Sequence, residues 1–231
     1  IEITVCAIGI IAYFLLRLYQ IMSLPIFTDE AIYTRWSQIA RYDADWRFIS
    51  LTDGKQPLFV WLDVIFMKLI SDPLLSGRIV SVFSGFATMI GLFFLGRELF
   101  KNRWVGILSS LLYLIFPFAL VYDRMALYDS LVGTWATWSL YLGVLLIRRL
   151  RLDAALILGM VLGGGVLTKT SGFFSIYLLP FLLLIFDWKS KKRLEMFFKF
   201  IGLSFISIVL AYGYYSILRL TPFFNIISEK T

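Results

Sequence analysis

The sequence has 231 residues, 60% of them hydrophobic and 18% aromatic, and a formal net charge of +7 from 22 basic and 15 acidic residues. A soluble globular domain is about 45–50% apolar, so this composition excludes an ordinary soluble domain and indicates an integral membrane protein. The basic residues lie between apolar segments, as they do in cytoplasmic loops, so the positive charge does not indicate a nucleic-acid partner.

Apolar segments follow one another along almost the whole chain. A membrane-spanning helix needs about 20 mostly apolar residues. This criterion predicts seven spans, at residues 3–24, 79–96, 104–122, 130–147, 154–169, 171–187 and 199–219. Segment 3–24 is too long for the apolar part of a signal peptide and has no small-residue cleavage site, so we expect it to be retained. The predicted fold is an all-α, polytopic membrane helix bundle that forms one transmembrane domain over residues 1–231.

Segment 57–70 decides the predicted topology. It is short for a span and carries Asp63 and Lys68, which favours a helix lying on the membrane surface. If it does not cross, the three dense basic loops all lie on the side of the N-terminus, as the positive-inside rule requires. These loops hold Arg97, Lys101 and Arg103; Arg148, Arg149 and Arg151; and Lys189, Lys191, Lys192 and Arg193. We therefore predict a multi-pass cell-membrane protein with a cytoplasmic N-terminus. The outer segments are then 25–78, 123–129, the Lys169-Thr170 link and the tail after Arg219.

The first outer segment, 25–78, is long for a connection in a compact protein, and such loops are commonly functional or disordered. Its interleaved aromatic and charged residues argue against disorder. Residues 29–41 place Ile32, Trp36 and Ile39 on one helical face, which predicts an amphipathic helix lying on the membrane surface, with Thr28 or Asp29 as N-cap. Further along, Gly163-Gly164-Gly165 indicates close helix packing rather than a phosphate loop, because no strand precedes it.

Charged side chains of both signs fall on the predicted outer face. They are Asp29, Glu30, Lys55, Arg78, Asp123, Arg124 and Asp129. Each has a structural alternative: a carboxylate can cap a helix or favour its dipole, and a basic side chain can extend to lipid headgroups. Together they provide a base beside cations that stabilise an anionic leaving group. The chain has no histidine, so a carboxylate is the natural candidate base, and its one cysteine excludes a disulfide.

Several motifs occur in a fixed order along the chain: FTDEAIYTRWSQIAR, GKQPLFVWL, SGRIVSVFSG, GRELFKNRWVGILSSLLYLIFPFALVYDRMALYDSLVGTWATWSLYL and GVLTKTSGFFSIYLLP. This order resembles the GT-C superfamily of membrane glycosyltransferases. It is most similar to bacterial and archaeal relatives of protein O-mannosyltransferase and of lipid A aminoarabinose transferase, glycosyltransferase families 39 and 83. The similarity extends from about residue 27 to residue 180. It implies a GT-C-like bundle and an N-terminal portion of the family architecture, with the C-terminal part absent from these residues.

The resemblance also assigns roles to residues. It implies that Asp29 is the base that deprotonates the acceptor hydroxyl and that Glu30 is its partner. Further matches to family motifs imply donor-phosphate or substrate binding by Lys55, Arg78, Arg124, Asp129 and Lys169. The donor would be a sugar on a polyprenyl phosphate, and the acceptor a protein hydroxyl, a lipid or a glycan, with inversion at the anomeric carbon. No phosphate-binding glycine motif is present, so a nucleotide-sugar donor is not indicated.

Three positions depart from the family pattern. Gln56 replaces the first proline of K-P-P-L, Thr170 replaces the glycine of L-T-K-G, and Gly54 stands where a glutamate often precedes the lysine. The missing glutamate weakens the prediction of a metal site, so a requirement for Mg²⁺ or Mn²⁺ is left open. A transporter or flippase of a lipid-linked or small anionic substrate is the alternative function. The concentration of charges at one membrane face and the lack of repeated halves argue against it.

Overall fold

The computed structural model describes residues 2–224, and over this range the chain is helical with no β-strand. The α-helices are α1 (Glu2–Leu18), α2 (Thr28–Tyr42), α3 (Leu58–Phe66), α4 (Pro73–Phe100), α5 (Arg103–Ile115), α6 (Pro117–Tyr122), α7 (Tyr128–Arg149), α8 (Leu152–Thr168), α9 (Phe173–Tyr177) and α10 (Arg193–Ser216). Short 3₁₀ segments lie at Ile21–Ser23, Ala44–Trp46, Ile49–Asp53, Thr170–Gly172, Leu179–Ile185 and Ile217–Leu220. The predicted all-α helix bundle is confirmed.

Within residues 2–224, four helical stretches are long and apolar enough to cross a membrane: Glu2–Ser23, Pro73–Phe100, Tyr128–Arg149 and Arg193–Leu220. They coincide with the first, second, fourth and last predicted spans. The other three predicted spans fall on shorter apolar stretches, Arg103–Ile115, Leu152–Thr168 and Thr170–Ile185. The count of seven spans therefore stays a prediction. Residues 225–231, the end of the predicted outer tail, lie outside the described residues.

Two predicted spans are interrupted near prolines. α5 ends at Ile115 because Pro117 has no N–H to donate and restricts Phe116, which is extended at φ −65° and ψ 121°. α6 then begins at Pro117. Segment 171–187 is predicted as one helix but is divided into α9 and a 3₁₀ stretch, with Pro180 near the start of the latter. Neither segment is a continuous α-helix.

Segment 57–70 contains α3, a helix of nine residues. At a rise of 1.5 Å per residue it is about 14 Å long, well short of the bilayer's apolar thickness of about 30 Å. Its length agrees with the prediction that this segment does not cross. α3 is nevertheless well packed, because Phe59, Val60 and Asp63 are buried, and Phe59 belongs to the same core cluster as Tyr33 of α2 and Val80 of α4.

α2 is present as predicted, and the face that it buries in the protein is more polar than the apolar face of Ile32, Trp36 and Ile39, of which Trp36 and Ile39 are partly buried. The helix begins at Thr28 after Phe27, so neither Thr28 nor Asp29 is the N-cap. Its buried residues are Glu30, Tyr33, Thr34, Ser37 and Ala40, whereas Ile32 is exposed. The reason is an ion pair: Glu30 bonds Arg78 in the interior, which turns the more polar face of α2 inward.

Close contacts between helices explain the glycine run in α8. A Cβ atom on Gly163 would lie 2.7 Å from the ring of Tyr214 in α10, and one on Gly164 would lie 2.9 Å from the ring of Trp135 in α7. Neighbouring helices therefore pack directly against the α8 backbone on two sides. The interpretation of this run as a packing motif is confirmed.

The two ends of the bundle differ in charge. Glu98, near the end of α4, pairs with Lys101, Arg148 and Arg149, which brings two basic loops together. Arg78 lies on the same helix near its other end, about 30 Å away at 1.5 Å per residue. The connections 19–72, 123–127 and 169–172 meet at the Arg78 end. The predicted site residues thus lie at the end opposite these basic loops, and the membrane side that each end faces stays a prediction.

Candidate active site

Glu30 and Arg78 form a fully buried ion pair. Arg78 donates from Nε to Glu30 Oε1 and from Nη2 to Glu30 Oε2, both at 2.9 Å. Both side chains are 0% exposed. A bidentate arginine–carboxylate pair fixes both distance and orientation, so it locks α2 onto α4.

The same two side chains also hold neighbouring loops through the backbone. Glu30 accepts hydrogen bonds from the amides of Ala126 at 2.7 Å and Phe27 at 3.1 Å. Arg78 donates from Nη1 to the carbonyl of Ile21 at 2.6 Å. With these bonds made, neither charged group is open to a substrate. The geometry favours a structural role for Glu30 and Arg78 over the direct roles that the resemblance implies.

Asp29 takes a different position from its neighbour Glu30. It is half-buried at the start of α2, and its Oδ2 accepts a hydrogen bond from the Tyr33 hydroxyl at 3.2 Å. Successive helical residues point about 100° apart. Glu30 can therefore bond Arg78 in the interior while Asp29 remains accessible to a substrate, as a base requires.

Tyr33 is a member of the site that sequence reasoning did not single out. Its ring lies edge-on to that of Tyr128, with centroids 4.6 Å apart. Burial raises the pKa of its hydroxyl, and so do the charges of Asp29, Asp129 and Asp53. The Tyr33 hydroxyl is therefore protonated and donates to Asp29, and the negative charge of Asp129 also acts on it. Its spacing of four residues from Asp29 was the available sequence signal, because such residues are neighbours on a helix.

Asp129 and Lys169 form an accessible ion pair. Lys169 Nζ lies 3.1 Å from Asp129 Oδ1, with the two side chains 41% and 47% exposed. α7 begins at Tyr128 after Leu127, so Asp129 lies in the first helical turn and is not the cap. Lys169 is extended at the end of α8. The structure thus joins two of the predicted residues on separate helices.

Lys55 belongs to a segment that is joined by a hydrogen bond to the segment of Lys169. Gly54 has a φ of 72°, a conformation that favours glycine and accounts for the missing glutamate. Lys55 is half-buried, and its amide donates to Ser50 O at 3.0 Å. The next residue, Gln56, donates from Nε2 to Oγ1 of Thr170 at 3.2 Å. Lys55 and Lys169 therefore lie on segments that are bonded to each other.

Arg124 connects two loops and is not bonded to Asp129 or Lys169 in the part of the chain that the structure describes. It donates from Nη2 to the carbonyls of Tyr19 at 2.8 Å and Gln20 at 3.2 Å. These bonds fix segment 123–127 against the end of α1. The geometry assigns Arg124 a positioning role, and its predicted contact with substrate stays a prediction.

A second buried ion pair was missed from the sequence. Arg17 Nε lies 3.5 Å from Asp123 Oδ2, with side chains 0% and 1% exposed. Asp123 also accepts hydrogen bonds from the hydroxyls of Tyr13, Tyr113 and Ser130. An arginine within an apolar span was the signal for such a partner.

An open groove of about 460 Å³ begins at Asp123, Asp129 and Ser130 and runs between α7 and the α5–α6 segment, with residues of α4 in its wall. It shares Leu92 and Thr137 with a neighbouring groove of about 300 Å³, which is lined mainly by apolar residues of α4, α7 and segment 174–182. The accessible Asp129–Lys169 pair therefore lies beside a groove that becomes apolar along the bundle.

Few side chains in the described part of the chain could hold a metal ion. No group of three or more histidine, cysteine, aspartate or glutamate side chains suited to a metal ion occurs within residues 2–224. Mg²⁺ is commonly held by one or two carboxylates together with water and substrate phosphate. Asp29 and Asp129 would be the candidate ligands for Mg²⁺ or Mn²⁺, a requirement that the sequence leaves open.

Comparison with known proteins shows relatives among membrane glycosyltransferases. The chain is 29% identical over 190 residues to the undecaprenyl phosphate-α-4-amino-4-deoxy-L-arabinose arabinosyl transferase of Pectobacterium carotovorum, covering 79% of this chain and 34% of that protein. It is 24% identical over 177 residues to the transferase of the same name from Yersinia enterocolitica, covering 73% of this chain and 32% of that protein. The chain thus spans about a third of the length of these relatives.

A solved structure gives the same fold. The S. cerevisiae protein O-mannosyltransferase Pmt1-Pmt2 complex bound to the sugar donor matches with a TM-score of 0.66 at 15% identity, over 94% of this chain and 33% of that chain. The predicted GT-C fold is confirmed by this likeness. The family model for dolichyl-phosphate-mannose-protein mannosyltransferase matches residues 54–215, a range that includes Lys55, Arg78, Arg124, Asp129 and Lys169 and lies after Asp29 and Glu30. The chain belongs to this family of membrane glycosyltransferases.

Proposed function

We propose that the protein to which these residues belong transfers a sugar from a polyprenyl-phosphate donor to a hydroxyl-bearing acceptor at the extracytoplasmic membrane face. The observation that carries the proposal is the meeting of Asp29, Tyr33, Asp129 and Lys169 at one end of the bundle. This end combines an accessible carboxylate, a fixed donor to it and a cation. These are the groups that acceptor activation and departure of an anionic group require.

In the proposed reaction, the Asp29 carboxylate accepts the proton of the acceptor hydroxyl. The acceptor oxygen then bonds to the anomeric carbon as the bond from that carbon to the phosphate oxygen breaks. The polyprenyl phosphate leaves with the electron pair, and the anomeric configuration inverts. Tyr33 holds the orientation of Asp29 by the 3.2 Å hydrogen bond.

The donor would use both parts of the Asp129–Lys169 region. Lys169 is 41% exposed and carries the positive charge that suits a lipid phosphate. The apolar groove along α4 and α7 would receive part of the polyprenyl chain. Lys55 lies on the segment bonded to Thr170 and would add a second cation.

A transfer assay on the full-length protein tests this function. The protein would be reconstituted in vesicles and given a panel of radiolabelled polyprenyl-phosphate sugars with protein, lipid and glycan acceptors, with and without a chelator. We expect one donor to transfer its label to an acceptor and to release polyprenyl phosphate.

Two results would contradict the proposal. Label that crosses the membrane while still on its lipid carrier, with no transfer to any acceptor, would indicate a flippase. Transfer that survives the simultaneous loss of Asp29 and Lys169 would place the chemistry elsewhere in the protein. The effect of the chelator separates a metal-dependent from a metal-independent reaction.

A further inference from the structure

A second apolar groove lies between α1, α4 and α5, toward the end of the bundle opposite the candidate active site. It has a volume of about 230 Å³ and is lined by residues that include Val5, Gly9, Met89, Phe93 and Leu111. The hydroxyl of Ser110 also faces this groove but donates to the carbonyl of Met89 at 2.9 Å. Water needs two to four polar partners to occupy a cavity. The groove therefore suits an apolar occupant.

This groove continues into a basic mouth. An adjoining space of about 430 Å³ shares Cys6, Ile10, Phe93 and Ile107 with it and is also lined by Arg97, Arg103 and Glu2. Arg103 lies 3.6 Å from Glu2, with side chains 66% and 41% exposed, and Arg97 is exposed. Two arginines and one carboxylate leave this mouth positively charged.

We propose that this groove binds an anionic phospholipid of the bilayer. The headgroup phosphate would lie against Arg97 and Arg103, and one acyl chain would lie between α1 and α5 along Gly9. Guanidinium groups bind phosphate oxygens in a bidentate manner, and an unfilled apolar groove loses dispersion contacts that an acyl chain restores. An anionic lipid supplies the negative charge that Arg97 and Arg103 can bind at the mouth, whereas an apolar helix would not. This site is separate from the proposed transfer site and does not depend on that function.

Competitive lipid binding tests the headgroup half of the proposal. The full-length protein would be delipidated in detergent and titrated with phosphatidylglycerol and with phosphatidylcholine of the same acyl chains, and bound lipid would be counted by native mass spectrometry. We expect the wild type to bind phosphatidylglycerol more tightly. The Arg97→Gln/Arg103→Gln variant should bind it about 30-fold more weakly, since each juxtamembrane arginine contributes about 1 kcal/mol.

A matched variant separates this site from general charge attraction. Arg149→Gln/Arg151→Gln removes the same charge from the same end of the bundle, but neither residue lines the groove. It should leave phosphatidylglycerol affinity within about twofold of the wild type, since an exposed charge outside the contact is screened. Equal losses in the two double variants, or equal affinity for the two lipids in the wild type, would overturn the proposal.

A tryptophan substitution tests the position proposed for the acyl chain. Ile10 lines both parts of the groove and is 39% exposed, so Ile10→Trp should fill it and displace the lipid while both arginines remain. Ile11→Trp is the control, because Ile11 is 60% exposed and outside the groove lining. Unchanged lipid binding in Ile10→Trp would overturn the proposed chain position. Displacement of phosphatidylglycerol by an equal concentration of polyprenyl phosphate would show that the occupant is the wrong lipid class.

Discussion

Gln56 donates a 3.2 Å hydrogen bond to Thr170, which joins the segment of Lys55 to that of Lys169. Gln56 is only 1% exposed. Positions 56 and 170 are two of the three at which the sequence departs from the family motifs. A proline at 56 has no side-chain donor and a glycine at 170 has no hydroxyl, so the motif residues cannot make this bond. The two departures are therefore one structural feature.

A double-mutant cycle tests this coupling. We expect Gln56→Ala and Thr170→Ala each to lower stability, and the double variant to lose less than the sum of the two. The coupling energy should be about 0.5–1.5 kcal/mol, as for a neutral hydrogen bond. The free energy of unfolding would be measured by denaturant titration in detergent. Strictly additive losses would show that the two side chains do not interact.

The Glu30–Arg78 pair predicts a large loss of stability when one partner is removed. Arg78→Met should cost about 3–5 kcal/mol, because it leaves the Glu30 carboxylate buried without its cation. Thermal unfolding of the purified protein measures this loss. Arg35→Met is the control, since Arg35 is exposed on α2. A stable Arg78→Met variant with a selective loss of donor affinity would instead support the direct role implied by family resemblance.

Tyr33→Phe tests the positioning of Asp29. The ring and its contacts with Tyr128 remain, while the hydrogen bond to Asp29 is lost. If the bond contributes about 1 kcal/mol to the transition state, kcat should fall about fivefold. The KM for the donor should stay nearly constant, because the Tyr33 hydroxyl donates to the proposed base Asp29 rather than to the proposed phosphate-binding residue Lys169. An equal fall in kcat for Tyr42→Phe, whose side chain is 82% exposed, would contradict this role.

Asp63 predicts a pH dependence of stability. Burial raises its pKa to about 6, while hydrogen bonds from Ser76 and Ser37 act in the opposite direction. The folded state therefore binds this proton more tightly than the unfolded chain, whose ordinary aspartate pKa is about 3.9. Stability should be highest below the unfolded pKa, fall as pH rises toward about 6, and then level off.

The comparison of wild type with Asp63→Asn isolates this effect. Unfolding free energies at pH 5 and pH 8 should differ less in the variant, because asparagine does not titrate. The wild type should lose stability over this interval by an amount on the order of 1–2 kcal/mol, part of the full shift. A difference between the two pH values that is the same in both proteins would assign the dependence to other groups.

The fold was predictable where one helix determines its own structure. Apolar length predicts α1, α4, α7 and α10, and the glycine run predicts close packing of α8. The orientation of α2 was not predictable from its own residues. Apolar periodicity places Ile32 on the apolar contact face of α2. The hydrogen bond from Arg78, 48 positions away, instead turns Glu30 toward the interior and leaves Ile32 exposed.

The candidate site shows the same division. Its charged residues could be selected because ionisable groups at the mouths of spanning helices are costly. Which of these residues form buried structural pairs and which stay accessible could not be predicted, because this depends on contacts between distant segments. Glu30 and Arg78 are fully bonded in the interior, whereas Asp129 and Lys169 pair in the open.

Substitution of Lys169 distinguishes donor binding from catalysis. Lys169→Ala should raise the donor KM about tenfold and leave the acceptor KM unchanged, because a cation-assisted contact to phosphate contributes about 1.5 kcal/mol or more. Initial rates over a matrix of donor and acceptor concentrations provide both values. Lys189→Ala, in the basic loop that precedes α10, is the matched control. Equal increases in the two KM values would contradict a specific donor contact.

The turnover of Asp29→Asn in the full-length protein decides whether Asp29 is the base. Asparagine preserves the shape of the side chain and can still bond Tyr33, but it cannot accept the acceptor proton. We expect kcat to fall at least 100-fold, the usual contribution of a general base, while the variant folds normally and Asp45→Asn is as active as the wild type. Transfer by Asp29→Asn at the wild-type rate would contradict the claim that Asp29 is the base.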